Sequence, residues 1–292
     1  MAPTFSIVIP TYRRAALLQR MLPSYLSAGS LEVIVIDDGS DPGDRPALEA
    51  IAAEPGVRVI HRPHRGLPAA RNDGVAQAKG EWVVFGEDDA WFTPEYPATL
   101  IDHAIREDAA IASGYAPLID PTMLTRPRDE LEELIRSKAM ADRPPDEFLG
   151  VAWPVELLDS GDTVTPLLTA GAAIHRSVFE RVRFDPAFRG NAFREESDFF
   201  LSCLEVGIRM IRCPHAKCGH MKVHSRAAEG GAWSMGRSRY AFQMVANNWR
   251  LVRKHQALLR AARRQAGRRG GPIRMQMEFL GSVLRRTRPV SA

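Results

Sequence analysis

A chain of 292 residues, 45% of them hydrophobic, holds enough apolar material for one large α/β domain or two small ones, and its odd count of three cysteines excludes a disulfide-stapled scaffold. No apolar run approaches the ~18 residues of a membrane span, and MAPTFSIVIP has no charged segment ahead of its short apolar one, so a cytoplasmic protein is expected. The net charge of +4 is unevenly spread: from Arg250 onward 12 Lys/Arg stand against the single acid Glu278, which leaves −7 on residues 1–249.

In chain order, FSIVIP (Phe5 to Pro10) and LEVIVIDD (Leu31 to Asp38) are β-branched runs ending in turn or charged residues, and each predicts a buried strand. Between them Leu17, Leu18, Met21, Leu22, Tyr25 and Leu26 recur at helical spacing, with Pro23 as a point of kinking. VRVIHR and EWVVFGE predict two further strands, separated by a helix over Leu67 to Ala78. This alternation predicts right-handed crossovers and a mostly parallel sheet with ligands at the carboxyl ends of its strands. Those ends carry Thr11, Tyr12 and Arg13, then Asp37, Asp38 and Gly39, then Glu87, Asp88 and Asp89. No glycine-rich loop follows the first strand, which sets aside dinucleotide oxidoreductases and P-loop NTPases. The stretch from Asp120 to Pro166, broken by Pro144, Pro145, Pro154 and Pro166, reads as an insertion, although RDELEELIRSKAM predicts a helix. A small-residue strand, a short helix and a helix opened by the acids of FREESDFF follow, and the chain ends in a basic, helical segment.

Two clusters invite chemistry. Three adjacent carboxylates in GEDDAW repel one another, and a cation, a helix N-terminus or solvent could each compensate that repulsion. CPHAKCGHMKVH gathers Cys213, His215, Cys218, His220 and His224, but its spacings lack a C-x2-C pair and Pro214 stiffens it, which disfavours zinc.

FSIVIPTYRR, VIVIDDGS, GLPAARNDGVAQAKGEWVVFGEDDAW, TAGAAIHRSVFERVRFDPAF and FREESDFFLSCLEVGIRM, in this order and spacing, resemble the family 2 glycosyltransferases over residues 4–224. The resemblance implies an α/β GT-A fold: a Rossmann-like, mostly parallel central sheet flanked by helices, here with a helical basic C-terminal extension. It implies a transferase domain over 1–249, with a nucleotide-sugar half at 1–118 and an acceptor-side half at 119–249, followed by the tail at 250–292. The implied reaction is inverting transfer of a sugar from a nucleotide-sugar donor, UDP- or TDP-linked, to a hydroxyl-bearing acceptor that is a glycan, a lipid-linked sugar or a small molecule. Pro10, Thr11, Tyr12, Arg13, Asp37, Asp38, Arg71 and Asp88 would then line the nucleotide sugar. Asp89, Glu87 and His220 would hold Mn2+ or Mg2+, which as a Lewis acid stabilises the departing diphosphate. Glu196 would be the catalytic base, with Glu195 in reserve.

Glu stands at positions 87 and 196 where the family generally carries Asp. That departure leaves an inactive GT-A binding or assembly protein as one alternative, beside a nucleotidyltransferase of similar fold. The basic tail, with Leu251, Leu258, Leu259 and Ala262 near helical spacing, fits a solvated terminal segment, peripheral contact with the inner membrane face or packing on the acidic body. No nucleic-acid partner is expected.

Overall fold

The computed structural model describes residues 2–138, 171–221, 230–265 and 269–286. Pro144, Pro145, Pro154, Pro166 and His224 lie outside them, as does most of the stretch read as an insertion.

Strands β1 (Phe5–Thr11) and β2 (Glu32–Asp37) are buried along their whole lengths. Their near-continuous apolar runs are what a parallel sheet covered on both faces requires. With β3 (Val57–His61) and β4 (Trp82–Phe85) they form a parallel block in the order β3-β2-β1-β4. Thr11 pairs with Asp37 and Asp37 with His61, so the polar strand ends align on one edge. Side chains alternate between two core layers, as strand periodicity dictates. Ile7, Ile9, Val33 and Val35 pack with Leu18, Met21 and Tyr25 of α1 (Ala15–Leu26) and Ile51 of α2 (Arg45–Ala52). Val8, Ile34 and Ile36 pack with Ala70 of α3 (Leu67–Gln77). Helix α3 sits unusually close to the sheet: a Cβ at Gly74 would lie 2.2 Å from Val8 Cγ1, so only glycine fits there.

Beyond β4 the sheet becomes mixed. Strand β8 (Ala173–His175) runs antiparallel between β4 and β6 (Ile111–Tyr115), and β9 (Met210–Met221) is parallel to β6. Strand β5 (Ala90–Phe92) is antiparallel to β9, and β7 (Leu118–Ile119) is parallel to it. Among the described residues five of the eight pairings are parallel, so the mostly parallel expectation holds while the second half departs from it. Helix α4 (Tyr96–Arg106), β6 and β7 occupy a stretch to which the sequence reading assigns no element. Helix α5 (Arg128–Ser137) forms where expected, and α6 (Glu195–Glu205) begins at the acids of FREESDFF.

The C-terminal region folds as α7 (Arg237–Lys254), α8 (Gln256–Gln265) and α9 (Pro272–Arg286), with α7 running unbroken through position 249. Leu251, Val252, Leu259 and Met275 form a small core with Phe188 and with Leu201 of α6. Lys254 Nζ donates to Asp198 (2.8 Å) and Asp185 (3.1 Å), while fully buried His255 lies 3.0 Å from both Asp198 and Glu205. At these contacts the basic segment packs on the acidic body. Among the described residues no helix is long and apolar enough to cross a membrane.

Candidate active site

The three carboxylates after β4 sit on a turn held from beneath by Tyr25. Its fully buried hydroxyl accepts the Glu87 N–H (3.1 Å) and donates to the Glu87 carbonyl (2.6 Å). Asp88 and Asp89 are both buried, so neither repulsion nor desolvation is relieved by solvent. Relief comes from Arg14, whose Nη1 donates to Asp88 Oδ1 (2.7 Å) and whose Nη2 donates to Asp89 Oδ2 (2.8 Å), while the Thr11 hydroxyl donates to Asp88 Oδ2 (3.1 Å). Burial still pushes the Asp88 carboxyl up to about 7. Burial also acts on Asp89, but there His220 and Arg14 win and hold the carboxyl below its ordinary range. The antiparallel ladder sets His220 of β9 opposite Ala90 of β5, which brings its Nε2 to 3.1 Å from Glu87 and 3.5 Å from Asp89. Glu87, Asp89 and His220 thus offer one ligand atom each, all within 4.8 Å of one another. Cys213 and Cys218, from the stretch weighed for zinc, are buried in the core instead.

Helix α6 supplies the second acidic cluster. Its first turn carries Glu195, Glu196 and Asp198, where the helix dipole favours negative charge. The close seating of α3 drives the buried Arg71 between the rings of Phe85 and Phe184, 4.9 and 5.4 Å from its guanidinium carbon. From there Nε donates to Glu195 (3.1 Å) and Nη2 to Glu196 (2.5 Å), with Glu87 at 3.8 Å. Arg71 therefore joins the two acidic clusters, whereas the sequence resemblance sets it along the nucleotide. Glu195 is 3% exposed, and its Oε2 has no hydrogen-bond partner among the described residues. Burial raises both carboxyls above the usual range, against the pull of Arg71, and Glu195 reaches about 8.

The remaining expected residues gather at the ends of β1 and β2. Pro10 is buried within β1. Asp37 accepts the Ser40 N–H and lies 2.9 Å from His61 Nδ1. Asp38 accepts the N–H groups of Arg65 (2.9 Å) and Gly66 (2.8 Å), pairs with Arg62, and so shapes the loop into α3. Tyr12 stacks on His64 with centroids 4.2 Å apart, and Arg13 lies over the same ring at 5.0 Å while pairing with Asp41. Arg14, Tyr25 and His64 are the contributors that the sequence reading lacks. The doubled arginine in TYRR was a signal for Arg14, since two buried acids need a nearby cation.

Residues 6–182, more than half of the chain, match the family model of Glycosyl transferase family 2. The chain belongs to glycosyltransferase family 2. The chain is 23% identical over 225 residues to the putative glycosyltransferase EpsH of Bacillus subtilis, covering 76% of its own length and 61% of that protein. Against validoxylamine A glucosyltransferase of Streptomyces hygroscopicus it is 30% identical over 152 residues, covering 50% and 34%. It therefore spans less than two thirds of the length of either curated relative. Among solved structures, mannosyltransferase PcManGT from Pyrobaculum calidifontis, in complex with GDP-Man and Mn2+, is similar with a TM-score of 0.57 at 19% identity, covering 100% of this chain and 89% of that one. GalNAc-T7 with UDP, GalNAc and Mn2+ is similar with a TM-score of 0.59 at 17% identity, covering 86% and 48%. At such identities the likeness speaks for the fold, and the GT-A fold expected from the sequence is the fold observed.

Proposed function

We propose that this glycosyltransferase moves a sugar from a nucleoside diphosphate sugar to an acceptor hydroxyl by a single displacement with inversion, assisted by a divalent cation. One observation carries the reading: the ligand atoms of Glu87, Asp89 and His220 converge within 4.8 Å, and Arg71 ties that point to Glu196 on α6. Two carboxylate oxygens and one imidazole nitrogen suit Mn2+ or Mg2+ and leave positions for phosphate oxygens. A cation held there supplies positive charge where the departing diphosphate gains negative charge.

The side chains divide the remaining work. Glu196, the more exposed of the two α6 acids, accepts the acceptor's hydroxyl proton as that oxygen attacks the anomeric carbon and the bond to the diphosphate breaks. Arg71 orients Glu196 and balances its charge, and buried Glu195 fixes Arg71. Asp37, which ends β2, offers an acceptor for the imide N–H of uracil or thymine, which favours a UDP- or TDP-sugar; Tyr12 and His64 form the adjoining aromatic wall.

A thermal-shift panel of UDP-, TDP- and GDP-sugars with Mn2+ tests the reading. A ligand at about 100 times its Kd adds roughly 2.7 kcal/mol, and Asp89→Ala should remove the Mn2+-dependent part. No shift with any nucleotide sugar would sink the proposal. Peripheral contact of the exposed Arg260, Arg264 and Arg274 with an anionic membrane surface is part of the same proposal; failure to co-sediment with anionic vesicles at low salt removes it.

A further inference from the structure

Arg14 has a place too well defined for an incidental surface cation. The chain leaves β1 through Arg13 in the left-handed region (φ 57°), where the Arg13 N–H donates to Ser40 and its side chain pairs with Asp41. Such a conformation costs a non-glycine residue energy and persists only where its surroundings fix it. The segment ahead of α7 closes over the same turn: a Cβ at Gly230 would lie 2.0 Å from the Arg13 carbonyl oxygen, and one at Gly231 would lie 3.0 Å from Arg14 Cδ. Strained turn and glycine cover together aim the guanidinium across the acidic turn, where the side chain is 11% exposed.

The two oxygens of Asp89 face different cationic positions. Oδ1 faces His220 and the point shared with Glu87, whereas Oδ2 accepts from Arg14. A diphosphate likewise presents two charged phosphoryl groups, and a guanidinium fork matches phosphate as well as it matches carboxylate.

We propose that Arg14 is a second cation for the donor's diphosphate, bound to Asp88 and Asp89 before the donor arrives and exchanging carboxylate for phosphate as the divalent cation engages Asp89. The inference rests on the functional reading above and adds to it a residue with a distinct signature. A fixed positive charge beside Asp89 opposes cation binding when nucleotide is absent and favours diphosphate binding when the cation is present. A residue that merely ordered the acidic turn would support both.

The test uses the full chain, with free Mn2+ followed by electron paramagnetic resonance and UDP, GDP and the uncharged nucleosides titrated calorimetrically at saturating Mn2+. Arg14→Gln should bind Mn2+ alone as tightly as the wild type or several-fold more tightly. Its affinity for whichever nucleoside diphosphate the wild type takes should fall about 10- to 100-fold, the effect of losing a charge-assisted contact, with nucleoside binding unchanged. Arg14→Lys keeps a charge against the acids without the fork; it should hold Mn2+ normally and bind the nucleoside diphosphate with a smaller loss, and it gives the reading should the Gln variant fail to fold. Mn2+ and nucleotide affinities falling together, or nucleotide affinity unchanged in both variants, overturns the role of Arg14. A wild type that binds neither UDP nor GDP with Mn2+ overturns the functional reading itself and this inference with it.

Discussion

Glu195 and Glu196 share one arginine yet occupy different surroundings, and the difference separates their roles. The Glu196 side chain is 31% exposed and can meet an acceptor, whereas that of Glu195 is 4% exposed. Glu196→Gln keeps size and hydrogen bonding but cannot take a full proton, so transfer should fall about 10²–10⁴-fold with donor affinity retained; the same loss in Glu195→Gln instead would move the base by one residue. Glu195 has its own pH signature. Burial raises its carboxyl from the ordinary 4.5 to about 8 in the folded protein, so between those values the unfolded chain has released a proton that the folded chain keeps. Its contribution to stability is complete below the unfolded value and is lost as pH rises through about 8. Melting curves of Glu195→Gln and wild type should therefore shift in the variant's favour from about pH 5 to about pH 8, and a gap that ignores pH would mean that Glu195 is ionised when folded. The acids of both clusters were legible in the sequence because carboxylates at strand and helix ends stand out. Their partners were not: Arg14 and Arg71 meet acids 75 and 125 positions away, and only the fold brings them together.

The elements differ in the same way. Strands β1, β2 and β4 were legible because they are buried apolar runs bounded by turns, and α6 because acids open it. Strands β6 and β7, with helix α4, escaped: IASGY is short and small, and its strand character comes from pairing with β8 and β9 rather than from its own residues. Helix α6 also has a second attachment that no local pattern announces. Three residues beyond its leading acid, the fully buried Asp198 meets Lys254 at 2.8 Å and His255 at 3.0 Å, so the helix that presents Glu196 is fastened from behind by the α7–α8 junction. Removing one partner of a buried ionic group strands the others, at a cost of about 3–5 kcal/mol. Asp198→Ala should lose that much in urea unfolding, and transfer should weaken as the first turn of α6 loosens. A loss within 0.5 kcal/mol, roughly the range of an ordinary surface substitution, would show that the junction does not hold α6.

For the whole molecule the question is whether the basic C-terminal helices are an appendage or part of the domain. Composition alone favoured an appendage, because +11 from Arg250 onward contrasts with −7 before it. Packing argues the other way. Helix α7 crosses position 249 without a break, its Lys254 pairs with Asp185 and Asp198 of the body, and Leu251, Val252, Leu259 and Met275 close a core over Phe188 and Leu201. A charge contrast within one chain is then partly an internal attraction rather than the mark of a separate tail. The apolar seam decides between the two pictures, since truncating a buried leucine costs about 2–5 kcal/mol wherever it contributes to the cooperative unit. Leu259→Ala should lower the midpoint of the main unfolding transition, monitored by far-ultraviolet circular dichroism and by an Asp89-dependent Mn2+ signal, with both probes moving together. An appended tail would behave differently: the Mn2+ signal would keep its wild-type midpoint while part of the helical signal melted early.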